Sequence, residues 1–286
     1  MDFTGERFVP GITGTIELEH LHRYVAACQL AAGKSVLDLA SGEGYGAAML
    51  AAAAARVIGV DIDATAVAHA RKNYPGPNLE FVCGSCAAIP LPGASVDLVV
   101  SFETIEHHDQ HREMLQEIKR VLRPQGVLLI SSPDKDSNRG HSGIGNPFHI
   151  KELGQAELKA LLNPYFTQCA YYAQSVVYGS AIFAETRPTQ MTSFVRDEPT
   201  TRYRGLARPG YWLALASDAG LPALDSGVFE RASMRRIEHR IAEREAEIAE
   251  REARIADLER VIAQLHRSTS WRVTAPLRAL KRWFTP

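Results

Sequence analysis

The apolar positions of the chain follow two regimes that meet near residue 227. Before it, short apolar runs alternate with helical patterns. SVLDLA (35–40), RVIGVDI (56–62), LEFVCG (79–84), VDLVVSF (96–102) and GVLLISS (126–132) are near-continuous apolar runs bounded by turn residues. Such runs read as strands buried on both faces. The first four are followed by Gly-rich, polar or helical stretches, which predicts an α/β domain with a mainly parallel, Rossmann-like sheet. ARPGYWLALAS (207–217) predicts a late strand, and the aromatic, β-branched stretch 165–183 another. Residues 184–206 are polar and hold Pro188 and Pro199, which predicts a long substrate loop over the sheet's edge or mouth.

After Gly227 the period becomes seven. IAEREAE, IAEREAR and IADLERV fill 241–247, 248–254 and 255–261. With a at Met234, Ile241, Ile248, Ile255 and Ile262, position d holds Ile237, Arg244, Arg251, Leu258 and Leu265. β-Branched residues at a with Leu at d predict a parallel coiled coil over 227–267, and with it a homo-oligomer; the two Arg at d loosen its middle. A solitary helix laced with salt bridges is the alternative. The tail, 268–286, changes character again. It has no acidic residue, and Arg272, Arg278, Lys281 and Arg282 sit among Trp271, Leu277, Leu280, Trp283 and Phe284. Pro276 suits the first position of a short amphipathic helix. Basic charge with Trp and Phe predicts docking on an anionic membrane surface or on a partner protein.

Composition narrows the class. A chain of 286 residues, 45% hydrophobic, can bury a sizeable core. Lys+Arg 32 against Asp+Glu 33 argues against a nucleic-acid binder. Four cysteines in a chain this long predict a reducing compartment, not a disulfide framework. The first residues lack the apolar core of a secretory signal, and no stretch reaches the roughly 20 apolar residues of a membrane span. The expected location is cytoplasmic, peripheral at the inner face of the membrane through the tail.

The strongest chemical signal is VLDLASGEGYGAAMLA (36–51), where a strand ends near Asp38 and Ala40 and Gly42, Gly44 and Gly46 precede a helix. Glycines there let the backbone turn tightly and approach a ligand. VIGVDID then places Asp61 at the end of the next strand, where a carboxylate accepts both hydroxyls of a ribose. Together they predict an adenosine-type cofactor. The spacing is neither G-x-G-x-x-G nor a phosphate loop.

LDLASGEGYG, GVDID, FVCGSCAAIPLPGASVDLVVSFETIEHH (81–108) and EIKRVLRPQGVLLISSP (117–133) resemble successive motifs of the class I S-adenosylmethionine-dependent methyltransferases. The resemblance covers roughly residues 1–220. It implies S-adenosylmethionine as cofactor and a seven-stranded sheet whose last strand, GYWLALAS, is antiparallel. The domain would span 1–226, with an N-terminal lid over 1–34. The resemblance brings Asp38, Ala40 and the three glycines to the methionine and ribose parts, Asp61 to the ribose hydroxyls with Ile62 beside it, and Gly84–Ser85–Cys86 to the adenine. It adds Phe102 to the cofactor's surroundings. Many members carry Asp where this chain has Ser85. Cys83-x-x-Cys86, alone a redox pair or half a zinc site, falls on that adenine loop.

Methyl transfer to a hydroxyl benefits from a base. SFETIEHHDQH (101–111) begins at the mouth of the sheet; His107 or His108 is the candidate base, with Glu103 or Glu106 to orient it. HSGIGNPFHIKEL (141–153) supplies Asn146, His149 and Glu152 for acceptor hydroxyls, and His149 as an alternative base. Asp134, Asp136, His141 and His149 offer metal donors without a fixed geometry, and no metal is assigned. Before the first strand, the resemblance brings Arg23 or Tyr24 to the methionine carboxylate and Arg7 to the acceptor, with Tyr24 counted also among the acceptor's contacts. Structural salt bridges are the alternative for that cluster.

GERFVPG, EHLHRY, SFETIEHH and NPFHIKEL resemble, more narrowly, methyltransferases of bacterial O-antigen and surface-polysaccharide synthesis. The tail SxSWRxTxPLR resembles tails of glycosyltransferases and methyltransferases from the same pathways. That likeness implies a glycan acceptor, terminal or internal, and a glycosyltransferase partner. The alternatives are a quinone or natural-product methyltransferase and a non-catalytic scaffold.

Overall fold

The computed structural model describes residues 15–135, 149–176, 180–184, 192–195, 201–204, 206, 209–229, 234–267 and 269–273. The chain divides into two compact units, Met1–Glu230 and Arg231–Pro286.

The first unit opens with α1 (Thr15–Ala31) and then alternates: β1 (Ser35–Leu39), α2 (Tyr45–Ala51), β2 (Arg56–Asp61), α3 (Ala64–Asn73), β3 (Leu79–Cys83), β4 (Val96–Ser101), α4 (His111–Val121), β5 (Leu122–Pro133), α5 (Gln155–Leu162) and β6 (Gln168–Val176). It ends with β7 (Ser180–Ala184), β8 (Thr192–Val195), β9 (Thr201–Arg204), β10 (Tyr211–Ser217) and β11 (Gly227–Phe229). The main sheet runs β11-β7-β6-β10-β5-β4-β1-β2-β3. β1 to β5 pair in parallel, with Asp38 beside Gly59 and Val100. β10 lies antiparallel between β5 and β6. The predicted strands all form.

Period-two alternation divides the sheet between two cores. Val36, Val57, Leu98, Leu129, Leu213 and Leu215 face α1, α2 and α3. Leu37, Ile58, Val99, Leu128, Ala214 and Ala216 face α4 and α5. α4 buries Met114, Leu115, Ile118 and Val121, the i, i+1, i+4, i+7 stripe of a helix lying on a sheet.

Three expectations are corrected. Among the described residues the main sheet has nine strands instead of seven. The region 165–183 supplies two strands, because β6 and β7 are joined closely enough to pair as a hairpin, and β11 adds to that edge. The loop expected over 184–206 holds the antiparallel pair β8–β9, whose alternating β-branched and aromatic residues suit a two-stranded ribbon. The boundary at 226 is displaced: residues 227–229 are strand, not coiled coil, and the long helix begins at Met234.

The second unit consists of α6 (Met234–Arg267) and α7 (Thr269–Val273). Ile248, Ile255, Leu258, Val261 and Ile262 of α6 are exposed. Arg244–Glu247 and Arg260–Asp257 pair along its surface. The tail beyond Val273, with Pro276, lies outside the described residues.

Candidate active site

A cavity of about 280 Å³ opens at the carboxyl ends of β1, β2 and β4. Parallel sheets bind ligands there because their connections leave crevices at those strand ends. The turn after β1 forms one wall. Ala40 and Gly42 both take positive φ, 62° and 56°. Holding a non-glycine residue such as Ala40 there costs energy and marks a turn dictated by its surroundings. Gly42 N–H donates to Asp61 Oδ2 at 2.8 Å, and Asp63 N–H donates to Asp61 Oδ1 at 2.9 Å. The carboxylate at the end of β2 is thus fixed against the glycine turn while still lining the cavity.

Of the predicted cofactor residues, Ala40, Gly42, Asp61, Ile62, Ser85, Cys86 and Phe102 line the cavity. Asp38, Gly44, Gly46 and Arg23 do not. Each of these four serves behind the wall. A Cβ on Gly44 would lie 2.7 Å from Ala70 Cβ and Phe81 Cζ, and one on Gly46 would overlap the ring of Tyr24. Those glycines let α2 pack against its neighbours. Asp38 is buried and accepts from the Tyr24 hydroxyl at 3.1 Å. Burial pushes its carboxyl up to about 7; the Tyr24 hydrogen bond opposes that shift and the charge of Asp61 adds to it. Arg23 is fully buried: Nε donates to Gln174 Oε1 at 2.8 Å, Nη1 sits 3.0 Å from Glu103 Oε1, and the guanidinium lies 4.3 Å from the centre of the Tyr211 ring. The structural salt bridge expected as the alternative is thus formed with Glu103, while Nη2 has no hydrogen-bond partner among the described residues.

The cavity fits the S-adenosylmethionine that the resemblance implies. The buried Ser41 Oγ on its wall has no hydrogen-bond partner among the described residues. Asp61 keeps lone pairs for ribose hydroxyls, and Ile62, 73% exposed, offers an apolar cover for an adenine. Gly84 is needed because a Cβ there would meet Pro90 Cδ at 2.6 Å. Sequence reasoning missed the α1 and α2 walls, where His20 and Tyr45 line the cavity with their polar atoms 3.0 Å apart. The EHLHRY helix carried that signal.

The segment after β4 forms the rim. Glu103, with φ 49°, accepts from the Ser131 hydroxyl at 2.8 Å and holds Arg23. Among the described residues it pairs with Ser131 and Arg23 and with no imidazole, a correction that follows from the attraction of the buried guanidinium. Ile105–His107 form a 3-10 turn, and both His107 and His108 line the cavity. His108 is tied on both sides. Its Nδ1 accepts from Gln110 N–H at 3.1 Å, and its Nε2 lies 3.3 Å from Met114 Sδ and 3.5 Å from Cys86 Sγ. Burial, then the neighbouring His111, lower its pKa. These contacts engage both ring nitrogens of His108 and favour His107 as the rim's candidate base.

Glu106 is buried, with Oε1 4.0 Å from His107 Nε2, beyond hydrogen-bond reach. Burial, then the charge of Glu103, push its carboxyl well above the usual range. Its carbonyl accepts from Ile150 N–H at 2.7 Å and Lys151 N–H at 3.1 Å. Those bonds bring a distant segment to the rim, where the rings of His149 and His107 stand 5.1 Å apart. His149 Nδ1 lies 2.6 Å from Glu152 Oε1. The two predicted histidine segments therefore meet. Tyr24 lines the cavity, but its hydroxyl is given to Asp38. Arg7, Asn146, Asp136 and His141 lie outside the described residues.

Residues 37–130 match the family model described as "Methyltransferase domain". Over that span the chain is similar to methyltransferases. It is 42% identical over 165 residues to a Mycolicibacterium smegmatis protein named as an S-adenosylmethionine-dependent methyltransferase, covering 57% of this chain and 63% of that one. A Mycobacterium tuberculosis protein of the same description is 41% identical over 167 residues, covering 57% of this chain and 60% of that one. The chain thus spans about three-fifths of the length of these relatives. Among solved structures, an S-adenosylmethionine-dependent methyltransferase from Thermotoga maritima superposes with a TM-score of 0.51 at 16% identity, covering 71% of this chain and 90% of that one. At that identity the likeness concerns the methyltransferase fold.

Proposed function

We propose that the chain is an O-methyltransferase acting on a sugar hydroxyl of a bacterial surface polysaccharide or its lipid-linked precursor. S-adenosylmethionine is its cofactor, as the family match and the names of its relatives support. When bound, that cofactor supplies an activated methyl group on a sulfonium. Asp61 and the turn at Ala40–Gly42 hold the ribose side, and Ile62 with Gly84–Cys86 covers the adenine. The observation that carries the reading is the cluster of Glu106, His107, His149 and Glu152, of which His107 lines the cavity. A sugar hydroxyl is a poor nucleophile until its proton is drawn away, and this cluster is the polar machinery available for that. The motifs resembling polysaccharide methyltransferases favour a glycan over a quinone.

The rod and tail extend the proposal to partners. The exposed apolar stripe of α6 suits a second copy of the chain in a coiled coil, with the tail meeting a glycosyltransferase or the membrane's inner face. No described helix is long and apolar enough to cross a membrane. Ile248→Asp with Ile255→Asp is expected to dissociate the oligomer; an unaltered mass by light scattering would reject the coiled coil. For the acceptor, surface polysaccharide from a strain lacking the chain is compared with its parent by mass spectrometry. Loss of methyl groups is expected, one per chain for capping or many for decoration. Unchanged polysaccharide, with transfer to a small soluble acceptor, would overturn the proposal.

A further inference from the structure

The rim cluster contains a carboxylate that the hydrogen bonds among the described residues leave unexplained. Glu106 is fully buried, and neither of its oxygens has a hydrogen-bond partner among the described residues. Proteins rarely bury a carboxyl group unpaired, because it loses its hydration and gains nothing in return. One ligating atom each of Glu106, His107 and His149 lies within 4.8 Å of the others. The two rings are nearly perpendicular, at 81°, so they do not stack face to face. Glu152 sits 2.6 Å from His149 Nδ1. A carboxylate there fixes the tautomer with the proton on Nδ1 and leaves the lone pair on Nε2, the arrangement found behind metal-bound histidines.

We propose that Glu106, His107 and His149 bind a divalent first-row transition ion such as Zn²⁺, Mn²⁺ or Co²⁺, with Glu152 as the positioning residue for His149. Two imidazoles and one carboxylate form a donor set that suits these ions, whereas Mg²⁺ and Ca²⁺ take oxygen ligands. Bonds of about 2.0–2.2 Å require the three groups to close slightly, which rotation of the partly exposed His107 supplies. The bonds from Ile150 and Lys151 to the Glu106 carbonyl hold the two halves of the site together. Three protein ligands leave open positions, and His107 lines the cavity, so an ion held here faces the acceptor's space. Its role toward a sugar hydroxyl rests on the function proposed above; its binding does not.

The test uses the full chain, freed of metal with a chelator and titrated with Co²⁺ under equilibrium dialysis and visible absorption. One ion per chain with nitrogen–oxygen ligand-field bands is expected. Glu106→Gln and His149→Ala should each weaken binding by more than about tenfold, and Glu152→Gln by about tenfold, with S-adenosylmethionine affinity retained as the check on folding. Equal Co²⁺ affinity in parent and variants overturns the proposal. So does a thiolate-to-cobalt charge-transfer band, which would put the ion on Cys83 and Cys86. Should Glu106→Gln fail to fold, unchanged affinity in Glu152→Gln and His149→Ala overturns it equally. Co²⁺ binding without methylation of oligosaccharides rejects the sugar acceptor alone; methylation without Co²⁺ binding rejects the ion alone.

Discussion

Asp61 has a backbone N–H on each carboxylate oxygen before any ligand arrives, whereas Glu106 has neither oxygen paired among the described residues. Asp61 lines the cavity, Glu106 lies buried beside His107, which lines it too, and the two carboxylates are built in opposite ways. Asp61 is held by Asp63 beside it and by Gly42 from the preceding strand's turn, where Ala40 and Gly42 take positive φ. Glu106 belongs to a cluster assembled across the long interval between His107 and His149. A wall complete in itself is preorganised for a cofactor. A cluster whose buried acid has no hydrogen bond among the described residues fits the ion site proposed above.

The sharpest way to break that contrast is at the rim. His107→Ala should lower kcat by about 10²–10⁴-fold while cofactor affinity holds; calorimetry showing affinity falling in step would merge the two regions into one. On the other wall, Asp61→Ala should weaken S-adenosylmethionine binding by about 1–3 kcal/mol. Unchanged affinity would place the ribose elsewhere. Behind that wall, Gly46→Ala forces a methyl into the Tyr24 ring and should cost about 1–3 kcal/mol of stability in denaturant titration. No loss would mean that Tyr24 moves aside without cost and that its bond to Asp38 is dispensable.

The smallest effect concerns pH. The Asp38 carboxyl, ordinarily near 3.8 and raised to about 7 by burial, favours its neutral form in the folded state. Its contribution to stability is fully present below 3.8 and is lost as pH rises through 7. Asp38→Asn stays neutral throughout and can still accept from Tyr24. The variant should therefore be more stable than the parent at pH 8, with the gap closing as pH falls toward 4 in thermal melts without cofactor. A gap that does not change with pH would show that Asp38 titrates normally.

Much of this was legible in the sequence because it is local. β1, β2, β4 and β5 are continuous apolar runs, and the turn at Ala40–Gly42 with Asp61 follows a short-range pattern. What local pattern does not reveal is the packing around these motifs. Gly44, Gly46, Arg23 and Asp38 stand in motifs that suggest ligand contact, yet their neighbours across the fold, Phe81, Tyr24 and Glu103, use them for packing and pairing. His107 and His108 are adjacent in sequence, and only the sulfur atoms of Met114 and Cys86 separate their roles. The β8–β9 ribbon was hidden by the prolines near it. The meeting of His107 with His149 rests on backbone bonds to the Glu106 carbonyl, which no periodicity encodes.

In the second unit, Ile248, Ile255, Leu258 and Ile262 of α6 face water. Were a second copy to cover them, as proposed above, part of the helix's stability would come from association and would follow mass action. Ellipticity would then fall on dilution and recover on concentration, which makes it a gauge of how many copies are near.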